Sequence, residues 1–240
     1  MWSSLPRLGA MCLGFVLVTT VGAGATSYDA AADFSASSNP GGVWSYRAGS
    51  SGEPLLTVTG TAGSPSLPDW YNANASFPGV VTEVDNNTGT DMTNPCCTSI
   101  LYHAHTLSLD GQSIGSIVRF TAAFAGIYSV SGLFESNDTS MATHNVGVVE
   151  NGTTTLLTQS LVNGNTVGIS LSSLALNAGS YLDFISYGFS GGSYGSTGLQ
   201  AVVTTASSPP TTVPEPASLL LLAAGLLGLA AAARHGRAYR

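Results

Sequence analysis

The stretch Gly126–Ser136, "GIYSVSGLFES", places Tyr128, Val130 and Phe134 on one side of an extended chain and Ser129 and Ser131 on the other. Side chains alternate faces along a strand, so this is the pattern of a strand with one buried side. "HNVGVV" at 144–149 and "YLDFISY" at 181–187 repeat the alternation, and between residues 26 and 205 no stretch keeps apolar residues at helical spacing for three turns. "LYHAHTLSLDGQSIGSIVRF" and "HNVGVVENGTTTLLTQ" each set Asp-Gly or Asn-Gly between two strand-like runs, dipeptides that tolerate the positive φ of tight hairpin turns. With no helices to cover a parallel sheet, such strands predict one all-β domain over 26–205, an antiparallel β-sandwich or jelly roll.

Charged residues make up only 8% of the 240, so this domain must draw its solubility from Ser, Thr, Asn and Gln, a secreted-protein composition. All six basic residues are arginines, and four of them (Arg7, Arg234, Arg237, Arg240) belong to the terminal segments. Arg47 and Arg119 are then left to face every acidic residue of the chain except Glu215, a balance that excludes nucleic acid as a partner.

Residues 1–25, "MWSSLPRLGAMCLGFVLVTTVGAGA", have a short start with Arg7, an apolar run and the small residues Ala23 and Ala25. They read as a secretory signal peptide, cleaved so that the mature chain starts near Thr26, and Cys12 is lost with it. Cys96 and Cys97 remain in an oxidising compartment. Neighbours in sequence can close a strained ring, pair between chains, or stay as two thiols after Pro95, and all three stay open.

Beyond the domain, "TTASSPPTTVPEP" cannot bury apolar surface, and residues 206–213 are expected to form an extended stalk. From 217 to 233 the chain is uncharged, and as a helix it would span roughly 25 Å, close to the bilayer core. Arg234, Arg237 and Arg240 follow at once, a basic tail that holds this end in the cytoplasm and the β-domain outside. Pro216 suits a first helical turn, while Glu215, between two prolines, is biased to extended backbone. An acidic, extended tripeptide therefore sits at the outer membrane surface, within reach of a processing enzyme.

"VPEPASLLLL" with the following "ARHGR" closely resembles the PEP-CTERM sorting signal of Gram-negative bacteria: a Pro-Glu-Pro motif (Pro214, Glu215, Pro216), a membrane helix and an arginine-rich end. The resemblance implies that 214–240 is a sorting signal recognised and cleaved by a membrane-embedded exosortase. It also implies a place at the inner membrane before processing, then at the cell surface or outside the cell, in association with exopolysaccharide and biofilm matrix. "DFSASSNPGGVWSY", "VRFTAAFAGIYSVSGLF" and "LNAGSYLDFISYGFSGGSYGSTGLQAVV" are similar to β-sandwich regions found ahead of such tails, and in outline to carbohydrate-binding jelly rolls. Two departures stand out: Arg47 follows Trp-Ser-Tyr, and "YHAH" lacks a Pro-Gly.

Constellations for chemistry are sparse. "GQSIG" around Ser113 and "GGSYG" around Ser193 match a nucleophile elbow, and Asp138 and His144 follow Ser113 in triad order, but Ser113 leads into a β-pattern where an elbow needs a helix. His103 and His105 share a strand face and could reach one metal with Asp110 as third ligand, although Leu101, Leu107 and Leu109 on that face favour two partly buried histidines. Asp85, Asn87 and Asp91 concentrate oxygen ligands that suit Ca²⁺, or a solvated turn. Trp44, Tyr46, Trp70 and Tyr71 are the aromatics able to stack on sugar rings. Trp44 is assigned to the core, and Trp70 and Tyr71 are the candidate glycan-stacking pair. No catalytic residue, metal or cofactor is assigned. The expectation is an exported, non-enzymatic envelope or matrix protein whose partners are an exosortase-type enzyme, the bacterial membrane and extracellular polysaccharide. A glycan-binding module and a secreted hydrolase are its rivals.

Overall fold

The computed structural model describes residues 24–49, 54–60, 67–72, 82–95, 98–110, 115–140, 143–187 and 196–206. Residues 1–23 of the expected signal peptide, 207–213 of the expected stalk, and the sorting motif, apolar segment and basic tail lie outside them, as do Cys96, Cys97, Ser113 and Ser193. Among the described residues no helix is long and apolar enough to cross a membrane.

Fifteen strands follow one another among the described residues: β1 (Ser27–Asp29), β2 (Trp44–Ala48), β3 (Val58–Gly60), β4 (Asp69–Tyr71), β5 (Glu83–Asn87), β6 (Met92–Thr93), β7 (Leu101–Tyr102), β8 (Thr106–Asp110), β9 (Ser116–Thr121), β10 (Gly126–Ser136), β11 (His144–Glu150), β12 (Thr154–Leu161), β13 (Thr166–Leu176), β14 (Tyr181–Tyr187) and β15 (Ser196–Thr205). They build an eight-stranded sheet in the order β13-β10-β15-β8-β5-β4-β3, with β1 beside β15, a five-stranded sheet β12-β11-β14-β9-β2, and the small pair β6-β7. Every pairing within the sheets is antiparallel. From β9 to β15 the chain passes repeatedly from one large sheet to the other, which ties the two layers into one sandwich within the compact unit Ala25–Ser208.

Alternation decides which side of each strand meets the opposite sheet. On β10, Tyr128, Val130 and Phe134 are buried while Ser131 is exposed, as the sequence pattern demands. They join Trp44, Tyr46, Phe120, Phe184, Leu107, Leu109 and Leu199 in a single core. The aromatic rings pack edge-on or tilted, Trp44 to Phe120 at 5.3 Å and Phe120 to Tyr128 at 5.8 Å, which adds about 0.5–1.5 kcal/mol per pair to the area buried. Trp44 is thus a core residue, as assigned.

Of the two expected hairpins, β11–β12 forms through a turn with positive φ at Asn151 and Gly152. The Asp-Gly after β8 does not close one: β8 belongs to the eight-stranded sheet and β9 to the five-stranded sheet, so the chain crosses between layers there. Nor is "LYHAHTLSLD" one strand. The chain turns at Ala104 and His105, the latter with a φ of 59°, so β7 and β8 are separate and His103 and His105 do not share a strand face.

Candidate metal centre

β4, β5 and β8 lie side by side, and their register sets the acidic residues of three strands together. Asp69 pairs with Asp85 across β4 and β5, and Glu83 pairs with Asp110 across β5 and β8. Residues i and i+2 share a face, so Glu83 and Asp85 point the same way, opposite to Val84, which with Trp70 faces the core. One carboxylate oxygen from each of Asp69, Glu83 and Asp85 lies within 4.8 Å of the others. All three residues are buried, with Asp69 fully inaccessible. Asp110 adds a fourth carboxyl, whose Oδ1 is buried and receives no hydrogen bond. Its backbone carbonyl accepts the Ser116 hydroxyl at 2.7 Å.

Sheets ordinarily set opposite charges or apolar side chains across a pair, and like charges directly opposite repel. Here the repulsion is doubled and dehydrated. Burial, then Asp85, Asp110 and Asp69, push the Glu83 carboxyl up to about 10. Burial, Asp69 and Asp110 raise Asp85 well above the carboxylate range, and burial and Asp138 bring Asp110 to about 7. Tyr102 is raised as well, by burial and then mainly by the charge of Asp85, so its phenol lies against the group, where it accepts from Asn94 Nδ2 at 3.2 Å. Tyr102, Ile100 and Leu67 form a small apolar cluster of their own, apart from the main core. The polar face continues through Ser108 and Ser196, whose hydroxyls are 2.7 Å apart, to Glu135 on β10, whose Oε1 is also buried without a hydrogen bond. Carboxyls held this close in a dry site must take up protons or a hard cation.

Asp85, Asn87 and Asp91, which the sequence allowed as oxygen ligands for Ca²⁺ or as a solvated turn, are divided. Asp85 belongs to the cluster, whereas the amide of Asn87 donates to the carbonyls of Thr90, Tyr102 and His103 and its Oδ1 accepts from Gly89 N–H. Asn87 therefore braces the turn leading to β6. Asp91 is exposed, held below the usual carboxylate range by the Ala104 N–H that it accepts at 2.8 Å and by His103. His103 lies 3.5 Å from Asp91 and 3.8 Å from Glu135. Asp69 and Glu83 escaped the sequence reading, although Glu83-x-Asp85 on one strand face, in a chain without lysine, was a usable signal.

The aromatic pair is divided too. Trp70 packs in the core with its indole N–H donating to the Ser35 carbonyl at 2.7 Å, which removes it from any exposed platform, and Tyr71 is half-buried. Asp138 Oδ1 accepts from the Ser140 N–H and hydroxyl, while His144 Nε2 lies 2.8 Å from the Thr197 hydroxyl inside the sandwich.

On the outer face of the five-stranded sheet, Arg119 makes a two-pronged bond to Asp183 at 2.6 and 2.9 Å and stacks 3.6 Å over the Tyr181 ring. Arg47 is near enough for its guanidinium pKa to be lowered by burial and by Arg119, so both arginines of the described residues belong to this sheet. A shallow groove of about 300 Å³ opens on the same sheet, lined by Gly147, Val149, Thr155, Leu157, Ile185 and Tyr187 among others.

Three solved structures are distantly similar to the chain. The CBM22-1 xylan-binding domain of Paenibacillus barcinonensis Xyn10C is 10% identical, with 68% of this chain and 98% of that one covered at a TM-score of 0.36. A CBM36 carbohydrate-binding module in complex with calcium and xylotriose is 11% identical over 57% and 98%, at 0.31. The K3 cleaved adhesin domain of Lys-gingipain from Porphyromonas gingivalis is 14% identical over 43% and 75%, at 0.34. No likeness at these values carries a function to this chain. No curated protein matches it in sequence. Residues 212–237, which contain Pro214, Glu215, Pro216, Arg234 and Arg237, match the PEP-CTERM protein-sorting motif, so the chain carries that sorting motif at its C-terminal end.

Proposed function

We propose that this is an exported, non-enzymatic envelope protein, delivered by its sorting motif to the cell surface or the extracellular matrix. Residues 1–25 direct secretion and are removed, 26–205 form the outer domain, 206–213 are a stalk, and 217–233 cross the inner membrane with the tail 234–240 inside. An exosortase-type enzyme then meets Pro214, Glu215 and Pro216 at the outer surface and cleaves the chain. The observation that carries this reading is the sorting motif at 212–237. Membrane fractionation with size comparison, in a host containing an exosortase, tests it. Glu215→Ala should accumulate uncleaved at full length in the membrane while wild type is shortened and released. Equal size and equal release of the two proteins would overturn it.

A second reading, glycan binding by the outer domain, is favoured by the groove beside Tyr187. A mixed apolar and hydroxyl lining with an aromatic side chain suits a sugar ring, and an acidic domain repels anionic polymers, so the ligand class is a neutral polysaccharide. In affinity electrophoresis on neutral polysaccharide gels, wild type should be retarded and Tyr187→Ala should run free. Equal mobility of wild type in gels with and without polysaccharide would end this reading.

A further inference from the structure

We infer that Asp69, Glu83 and Asp85, with Asp110 beside them, form a binding site for a hard divalent cation of the calcium class, a staple between β4, β5 and β8. The first ground is geometric. An ion about 2.3–2.6 Å from each ligand oxygen holds them up to roughly 5 Å apart, and the three oxygens here lie within 4.8 Å of one another. Mg²⁺ dehydrates reluctantly and is ordinarily held by one or two carboxylates with several waters, so a buried group of carboxyls suits it worse.

The second ground is independent of the cluster itself. Asp110 Oδ1 is buried and has no hydrogen-bond donor, on the same sheet face, directly across from Glu83. An orphaned buried carboxylate oxygen costs free energy unless a partner is supplied, and a cation held by the three converging oxygens beside it is such a partner. The third ground is charge. The chain has no lysine, and Arg47 and Arg119 belong to the other sheet. Four carboxyls on three neighbouring strands thus stand in a sheet whose strands carry no arginine or lysine, and an ion from outside would neutralise their charge. Asp69, at the start of β4, Glu83 and Asp85 in β5 and Asp110 at the end of β8 would be drawn to one centre, which closes the sheet toward its β3–β4 edge.

The full-length chain, stripped with EDTA and titrated with CaCl₂ at pH 7.5, should bind one calcium per chain and melt at a higher temperature in millimolar calcium than in EDTA, with Mg²⁺ at least tenfold weaker. Asp85→Asn should lose at least tenfold in calcium affinity while melting no lower than wild type in EDTA, because it removes a repelling charge. Asp91→Asn, an exposed acid outside the cluster, should bind as wild type does. The wild-type titration depends on no variant folding: absence of binding heat and of any calcium-dependent shift in melting overturns the site. Retention of full affinity by Asp85→Asn overturns it equally.

Discussion

Glu83 and Asp110 face each other across β5 and β8 as two acids, and the consequence is a stability that runs against the usual pH trend. Burial and the neighbours Asp69, Asp85 and Asp138, with the Tyr102 phenol alongside, hold Glu83 at about 10 and Asp110 at about 7, above their values in an unfolded chain. The folded state then binds more protons than the unfolded one from about pH 4 upward, so stability is fullest below the unfolded pKa and falls as pH rises through the folded values. In EDTA the melting temperature should decline from pH 5 to pH 8, Glu83→Gln should flatten that decline, and calcium should offset it. A melting temperature that rises over this range would remove the cluster from control of stability. Arg119 and Asp183 illustrate the opposite arrangement, opposite charges fully matched in a buried two-pronged bond. Asp183→Asn should cost about 3–5 kcal/mol in urea unfolding by stranding the guanidinium, whereas Arg119→Met with Asp183→Leu should cost far less.

β10 is the element on which the sandwich turns, since it pairs with β13 on one side and β15 on the other. Gly132 makes the second pairing possible: its φ of 153° lies in the region that favours glycine, and a Cβ there would overlap the carbonyl of Gln200 on β15. Gly132→Ala should therefore lower stability by about 1–3 kcal/mol or more, with amide exchange accelerating first along β15. An unchanged urea midpoint would show that the strands part without cost. The buried face of this strand was readable from "GIYSVSGLFES" because alternation is local, and the Asn151–Gly152 turn was readable because positive φ is written into those residues. The crossing from β8 to β9 was not, since Asp-Gly says that the chain turns and not which layer its next strand joins. The carboxylate group failed for the same reason. Glu83-x-Asp85 is visible in one strand, but its meaning depends on β4 and β8 arriving on either side, and no local pattern encodes a pairing.

At the scale of the whole chain, two sets of charges do separate work under the proposed topology. The acids belong almost entirely to the outer domain, while half of the arginines, Arg234, Arg237 and Arg240, stand together at the end of the tail. The core of Trp44, Phe120, Phe134 and Phe184 belongs to the compact unit Ala25–Ser208. Orientation in the membrane draws on the arginines, since basic residues flanking an apolar segment stay on the cytoplasmic side, and it is indifferent to a carboxylate at 215. Processing draws on the Pro-Glu-Pro tripeptide. Replacing Arg234, Arg237 and Arg240 together with serine should consequently leave the melting temperature of the outer domain unchanged but reduce the fraction of chains whose outer domain is digested by protease added to spheroplasts. Glu215→Ala should leave that fraction at the wild-type level while blocking size reduction. Identical protease accessibility for the serine variant and wild type would show that the signal peptide alone sets the orientation and that the basic tail acts at a later step, in retention or in recognition by the processing enzyme.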